Sequence, residues 1–185
     1  MALRITLGDL LHECAEKFGE RPFLIIAETG EALTYREFEV LTNSVAHGLL
    51  ENYSDALSYV DIFLENSAEY LAISYALKKV NAIEVSINPA MRDAPLARMI
   101  DQTGTKLLFT SSQQLSALDQ IRDLIPNVQT LIMLDGVDEA RSLFPELEIV
   151  CFEEILSSCE DHIVSPAKDT DVATILFRSE ERRVG

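Results

Sequence analysis

The fold is decided by residues 60–87, which read VDIFLENSAEYLAISYALKKVNAIEVSI. The two ends of this stretch, residues 60–64 and 83–87, are short aliphatic runs of the kind that form strands. Residues 67–80 have the length of a helix and carry apolar side chains on nearly every side. A helix without a polar face is covered by protein on both sides. The stretch therefore predicts a β-α-β unit whose helix is buried.

The same alternation continues toward the C-terminus. The further helices are predicted at residues 93–103, ending at Gly104, and at residues 112–124; the further strands are predicted at residues 106–110 and 128–134. The acid-rich residues 135–161 predict a solvated connection along the domain edge, with a short strand at 148–151 and a short helix at 152–158. Strands that alternate with helices in this way form parallel sheets with right-handed crossovers. We therefore expect an α/β fold, with a mostly parallel sheet and helices on both faces.

Toward the N-terminus, two helices have clear start signals. Residues 7–18 show one apolar stripe, with Thr6 as the predicted N-cap and Gly19 as a left-handed stop. Residues 23–27 then predict a strand. Thr34 and Glu37 have the spacing of a capping box and predict the start of the second helix. In that helix, Gly48 marks a place where a neighbouring backbone can approach closely.

In parallel sheets, ligands bind beyond the carboxyl ends of the strands. The loops expected to face a ligand are therefore residues 65–67, 88–92, 111–112 and 135–138.

Charge and cysteine content exclude several classes of function. The 185 residues include 15 basic and 31 acidic side chains, for a formal net charge of −16. Such a surface repels phosphate backbones, so we expect no nucleic-acid partner. The three cysteines, Cys14, Cys151 and Cys159, are odd in number and indicate reduced thiols in a cytoplasmic protein. No apolar run has the length of a membrane span, and no charged-then-apolar leader is present.

Motifs that carry chemistry are missing from the sequence. The seven glycines contain no Gly-x-Gly pair, which excludes a dinucleotide fingerprint and a Walker loop. His12, His47 and His162 lie far apart along the chain, so no metal site is predicted, and His12 and His47 are interpreted as solvent-facing or half-buried helix residues. None of the cysteines has the local signature of a nucleophile. The residues therefore predict no catalytic, cofactor-binding or metal-binding side chain.

Asp61 is the one polar residue in an otherwise apolar strand. A functional interpretation makes it a phospho-acceptor or an acid catalyst. The structural interpretation, which we favour, is an edge position or a carboxylate satisfied by nearby donors, because side chains in the middle of such strands point into the helices.

Three blocks of sequence resemble the N-terminal region of adenylate-forming, AMP-binding enzymes. They are residues 33–38 (LTYREF), 63–70 (FLENSAEY) and 76–89 (ALKKVNAIEVSINP). Residues 91–100 (MRDAPLARMI) are most similar to acyl-CoA synthetases of the fatty-acid and carnitine-CoA ligase kind. The resemblance implies an incomplete N-terminal subdomain, and its framework residues are Thr34, Tyr35, Asn66, Asn88 and Pro89. The chain departs from the family pattern at Asn81, where Gly is usual, and at Asp61, where a small or aliphatic residue is usual.

The resemblance also implies what the chain lacks. Residues 171–177 (DVATILF) resemble the strand that leads into the Thr/Ser/Gly-rich loop gripping the phosphates of ATP, but residues 178–185 read RSEERRVG. These eight residues match the translation of a common sequencing-library adapter. We therefore expect residues 1–177 to be a truncated AMP-binding synthetase domain and residues 178–185 to be a non-native tail.

For the parent enzyme, the resemblance implies ATP, Mg²⁺ and CoA as cofactors and a carboxylic acid as substrate, joined to CoA through an acyl-adenylate. The loop and the C-terminal domain that carry this chemistry are absent, so we expect the fragment to be inactive and to bind none of these cofactors well. An alternative is a self-contained small α/β binding or receiver-like regulatory module with Asp61 as acceptor. A second alternative is a non-catalytic scaffold whose acidic edge binds a basic partner.

Overall fold

A computed structural model describes residues 6–27 and 29–177, and its centre is a six-stranded sheet with the order β7-β6-β5-β3-β4-β8. Every neighbouring pair in this sheet is parallel. The strands of this sheet are β3 (Tyr59–Ile62), β4 (Ile83–Ser86), β5 (Leu107–Thr110), β6 (Thr130–Met133), β7 (Glu148–Cys151) and β8 (Thr174–Leu176). The predicted α/β fold with a mostly parallel sheet is confirmed.

Helices cover both faces of the sheet. Within the described residues, the α-helices are α1 (Leu7–Phe18), α2 (Tyr35–Tyr53), α3 (Ala68–Lys79), α4 (Asp93–Thr103), α5 (Ser112–Ile121) and α6 (Val137–Leu143). Val60 and Ile62 pack with α2 and α3 on one face, whereas Phe63 and Val85 pack with α4 and α5 on the other. This division follows from the two-residue side-chain period of a strand.

An outer layer lies against α2 and α3. It consists of α1 and an antiparallel hairpin of β1 (Pro22–Ile25) and β2 (Ala32–Thr34). The rings of Phe23, Tyr35, Phe38 and Tyr75 pack together at this junction, with Phe23 and Phe38 stacked at 4.5 Å between ring centroids. Because α3 is covered by α1 and α2 on one side and by the sheet on the other, it is buried as its apolar sequence predicts.

The predicted start of α2 is confirmed in detail. The Glu37 backbone N–H donates to the Thr34 hydroxyl, and the Thr34 backbone N–H donates to the Glu37 carboxylate at 2.8 Å. The prediction for Gly48 is also confirmed. A Cβ atom at Gly48 would lie 1.6 Å from the carbonyl oxygen of Ile155, so the backbone after β7 contacts α2 at a point where only a hydrogen fits.

Three local predictions are corrected, and one strand was missed. Gly19 is not a left-handed stop, because its φ of −32° is right-handed; the chain turns there as Arg21 N–H bonds to the Phe18 carbonyl. Residues 135–161 are not only a solvated connection, because they contain α6 and bury Phe144 and Ile149 against the sheet. The predicted helix at 152–158 is a single 3₁₀ turn, Phe152–Ile155. The short strand β2 was not anticipated.

Residues 178–185, predicted to be a non-native tail, lie outside the described residues. In the part of the chain that the structure describes, we find no helix with the length and apolar character needed to cross a bilayer.

Candidate functional site

The carboxyl edge of the sheet gathers the four loops that the sequence predicts to face a ligand. Strands β6, β5, β3 and β4 are adjacent and parallel, so the loops that follow them leave the sheet at the same edge. Two of these loops are joined directly, because the Ser112 backbone N–H donates to the Asp135 carboxylate at 2.6 Å. Gly136 follows with φ +69°, and a Cβ there would lie 2.6 Å from the Ser112 side chain. The loops after β5 and β6 therefore form one close-packed corner.

The polar groups of the loop after β4 are used within that loop. The Asn88 side-chain oxygen accepts from the Ala90 backbone N–H at 2.8 Å. The Arg92 guanidinium donates to the carbonyl oxygens of Pro89 and Met91, each at 2.6 Å. These contacts shape the loop, and they leave the described residues at this edge without the glycine-rich cradle of backbone N–H groups that a triphosphate needs. The described residues at this edge therefore do not by themselves fit the triphosphate of ATP.

An open groove lies beside this edge, between the hairpin and the start of α3. It has a volume of about 560 Å³ and is lined by residues 24–27 and 66–71. Asn66, one of the framework residues, is part of its lining, and Ile25 is exposed. The groove is mainly apolar and carries no convergent set of charged groups, so its chemistry is that of a contact surface.

A buried polar network lies under α3, next to the edge strand β8. The Glu84 carboxylate of β4 accepts hydrogen bonds from Ser74, Tyr70 and Ser86 and pairs with Lys78. Burial acts to raise the pKa of Glu84, but the Lys78 charge and these hydrogen bonds outweigh it, and the pKa is lowered. Glu84 is therefore held as a satisfied, ionised carboxylate, which is the arrangement of a structural network.

Asp61 differs from Glu84 because its carboxylate is buried without adequate partners. The strand that carries it, β3, lies between β5 and β4, so the predicted edge position is wrong. One carboxylate oxygen accepts from the Thr103 hydroxyl at 3.3 Å, and the other has no hydrogen-bond partner among the described residues. Burial raises the pKa of Asp61 to about 8, against a smaller opposing effect of the Thr103 hydroxyl. A side chain that is fully buried under α4 does not fit a receiver-like phospho-acceptor, which must be reached by a phosphodonor.

The framework residues lie where local structure needs them. Thr34 caps α2 and Tyr35 joins the aromatic cluster, whereas Asn88 shapes its loop. The structure also explains why Gly is usual in the family at the position of Asn81. Asn81 has φ +58°, and the Ala82 N–H bonds to the Leu77 carbonyl, which is the Schellman pattern that ends a helix with a left-handed residue.

Two of the three histidines, which are far apart in the sequence, meet in the folded protein. His12 and His47 are half-buried, as predicted. However, the fold brings His12 next to His162, with the rings stacked at 3.7 Å between centroids, and both rings face Glu39. The absence of a metal site stays a prediction, but the reason given for it, separation along the chain, does not hold in the folded protein. Cys14, Cys151 and Cys159 are free thiols.

Comparison with known proteins supports the resemblance. A family model described as "AMP-binding enzyme" matches residues 11–179. A 4-coumarate–CoA ligase from Arabidopsis thaliana is 30% identical over 125 residues, which are 66% of this chain and 22% of that protein. A peroxisomal long chain acyl-CoA synthetase from Arabidopsis thaliana is 22% identical over 186 residues, which are 94% of this chain and 27% of that protein. The chain therefore spans about a quarter of the length of these relatives.

A solved structure shares the fold. The long-chain-fatty-acid-CoA ligase from Archaeoglobus fulgidus superimposes with a TM-score of 0.77 at 22% identity, covering 95% of this chain and 35% of that protein. The sheet and its helices are thus an arrangement already known in adenylate-forming enzymes.

Proposed function

Because this chain belongs to the family of AMP-binding enzymes, we propose that it is the N-terminal part of an acid–thiol ligase that makes acyl-CoA. In the proposed reaction, a carboxylate oxygen of the substrate attacks the α-phosphorus of ATP and pyrophosphate leaves. The CoA thiol then attacks the acyl carbonyl, a thioester forms, and AMP leaves with the former carboxylate oxygen. Mg²⁺ would offset the phosphate charge that develops in the first step.

One observation carries this proposal: the family match covers residues 11–179, a range that begins in α1 and includes the last strand of the sheet. A resemblance limited to a single β-α-β unit would fit many α/β proteins, since this fold serves many functions. The proposed substrate class, carboxylic acids, is supported by the names of the relatives, which include CoA ligases for long-chain and aromatic acids.

For the 185-residue chain alone, we propose the role of a scaffold without activity. The described loops at the carboxyl edge lack a phosphate cradle, and β8 pairs only with β4 at the edge of the sheet. Leu176, which lies in β8, is 66% exposed, and Val172, which lies just before β8, is 55% exposed. We propose that further residues of the full-length protein cover this apolar edge, because exposed apolar edges favour association.

The test compares the 185-residue chain with the full-length protein. The genomic reading frame is sequenced past codon 177 and the full-length protein is expressed from it. We expect acid-dependent exchange of pyrophosphate with ATP, followed by thioester formation with CoA, from the full-length protein but not from the short chain. Equal ATP-pyrophosphate exchange by the short chain would contradict the scaffold role. A full-length protein that exchanges pyrophosphate with none of a panel of aliphatic and aromatic acids would contradict the ligase proposal.

We also propose a cytoplasmic location and no nucleic-acid partner. The three unpaired cysteines fit a reducing compartment, and the charge of −16 disfavours binding to phosphate backbones. Imaging of the tagged full-length protein tests the location, since one relative is named as peroxisomal.

A further inference from the structure

We propose that His12, Glu39 and His162 form a binding site for Zn²⁺. The proposal is independent of the proposed function, because it rests on side chains that lie away from the carboxyl edge of the sheet. The three residues come from α1, α2 and the connection between β7 and β8, and one ligand atom from each lies within 4.8 Å of the others.

The distances within this cluster suit a small tetrahedral cation. Glu39 Oε1 lies 3.2 Å from His12 Nδ1 and 3.4 Å from His162 Nδ1. A tetrahedral ion with bonds of about 2.0–2.1 Å holds neighbouring ligand atoms about 3.3 Å apart. Two imidazole nitrogens and one carboxylate oxygen are a donor set that zinc accepts with one coordination position left for water. The stacked rings must rotate for both nitrogens to point at one ion, and His12, with a side chain 36% exposed, has the space to do so.

His162 supplies a second indication of a missing ligand. Its Nδ1 atom is buried and makes no well-aligned hydrogen bond among the described residues, although Glu39 Oε1 lies 3.4 Å from it. Its other ring nitrogen, Nε2, faces Asp9 Oδ1 at 3.9 Å. A metal-bound histidine commonly directs its second ring nitrogen at a carboxylate, which orients the ring and increases its basicity. Asp9 is itself held in place, because it accepts hydrogen bonds from Thr6 and from the Ser165 backbone.

Glu39 is oriented for binding through one oxygen. Its Oε2 atom accepts from Lys79 at 2.7 Å, and Lys79 is fully buried and also donates to Asn43. This ion pair keeps the Glu39 carboxylate in position, and Oε1 faces the two histidines while it also accepts a hydrogen bond from the Asn43 side-chain amide at 3.3 Å. Lys79 adds a positive charge near the site, and Asp9 adds a negative charge that compensates it.

A bound ion would connect segments that are distant in the sequence. His162 lies in the connection that crosses α1 and α2 before the chain reaches β8, and Glu39 and His12 lie on those helices. Binding to the folded state alone stabilises it by mass action. The proposed role is therefore structural: the ion would hold the connection on the helices and so position β8 at the sheet edge.

The test measures Zn²⁺ binding to the 185-residue chain after removal of metal with a chelator. We expect one equivalent of Zn²⁺ to bind and Mg²⁺ not to compete, since Mg²⁺ prefers oxygen ligands. His12→Gln and His162→Gln should each weaken binding about 100-fold or more. His47→Gln is the matched control, because the His47 ring supplies no atom to the cluster and contacts the connection at the Asp161 backbone carbonyl oxygen, 3.0 Å from its Nε2 atom, so the affinity should stay nearly unchanged.

A measurement on the unaltered chain covers the case in which a variant does not fold. In NMR spectra of the histidine ring nitrogens, one equivalent of Zn²⁺ should shift the signals of two of the three histidines, His12 and His162. No saturable shift, a shift confined to His47, or binding that is lost only when the three cysteines are replaced by serine would each overturn the proposal.

Discussion

Replacement of Asp61 by asparagine should make the protein more stable at neutral pH. Burial raises the pKa of Asp61 to about 8, and an aspartate in an unfolded chain has a pKa of about 3.9. Because the folded-state pKa is the higher one, the folded state holds the proton more tightly. The contribution of the Asp61 proton to the free energy of unfolding is complete below about pH 4 and is lost as the pH rises toward 8. Over about four pH units, at about 1.4 kcal/mol each, the loss is on the order of 5 kcal/mol.

Asparagine has the shape of the protonated aspartate but does not titrate. Its oxygen can still accept from the Thr103 hydroxyl, and its amide replaces the carboxylate oxygen that has no partner. The free energy of unfolding, measured by urea denaturation, should therefore be higher for Asp61→Asn than for the unaltered chain, and this difference should increase as the pH rises. Between about pH 5.5 and pH 7.5 the difference should grow by about 3 kcal/mol.

Asp101→Asn provides the matched control, because Asp101 lies exposed on α4, the helix that covers Asp61. Its effect should not change over the same pH range by more than about 0.5 kcal/mol. If the difference between Asp61→Asn and the unaltered chain is independent of pH, Asp61 is solvated or paired in solution, and the reasoning from its burial is refuted.

Three further variants test the local structure, each through the free energy of unfolding in urea. Gly48→Ala should lose about 3 kcal/mol, because its Cβ would overlap the carbonyl oxygen of Ile155; an unchanged or higher stability would show that the two backbones are not in contact. Asn81→Ala should lose about 1 kcal/mol of stability, because alanine is strained in the left-handed backbone conformation of this position, whereas Asn81→Gly should lose none. Equal effects of the two variants would contradict that conformation. Thr34→Ala should lose about 1 kcal/mol of stability because it removes the hydroxyl that caps α2, whereas Thr34→Ser keeps a hydroxyl and should retain most of that stability. Equal losses in the two variants would exclude the hydroxyl cap.

The helices and strands were predictable where local rules decide them. Thr34 and Glu37 lie three residues apart, and the cap they form depends on no other part of the chain. Gly104 ends α4 with φ +63° for an equally local reason. Gly19 shows the limit of such rules. The pattern of a glycine after a helix predicts a left-handed stop, but the Arg36 N–H bonds to the Gly19 carbonyl, and this contact accompanies a right-handed turn.

The candidate sites were less predictable than the fold. The loops at the carboxyl edge follow from the parallel alternation alone, whereas the meeting of Ser112 with Asp135 does not. Asp61 was recognised as unusual, but its pKa depends on how deeply α4 covers it and on whether a donor reaches it. A sequence contains the residue type but not the packing that determines its environment.

The amino-acid pattern alone predicts which segments form helices and strands, that the sheet is mostly parallel, and that the chain resembles AMP-binding enzymes. These properties depend on side-chain periodicity and on contacts between residues a few positions apart. The strand order, the burial of Asp61 in a central strand, and the approach of His12 and His162 to Glu39 become visible in the folded protein. These depend on contacts between distant segments, and such contacts are set by how the hydrophobic faces of all the elements pack together.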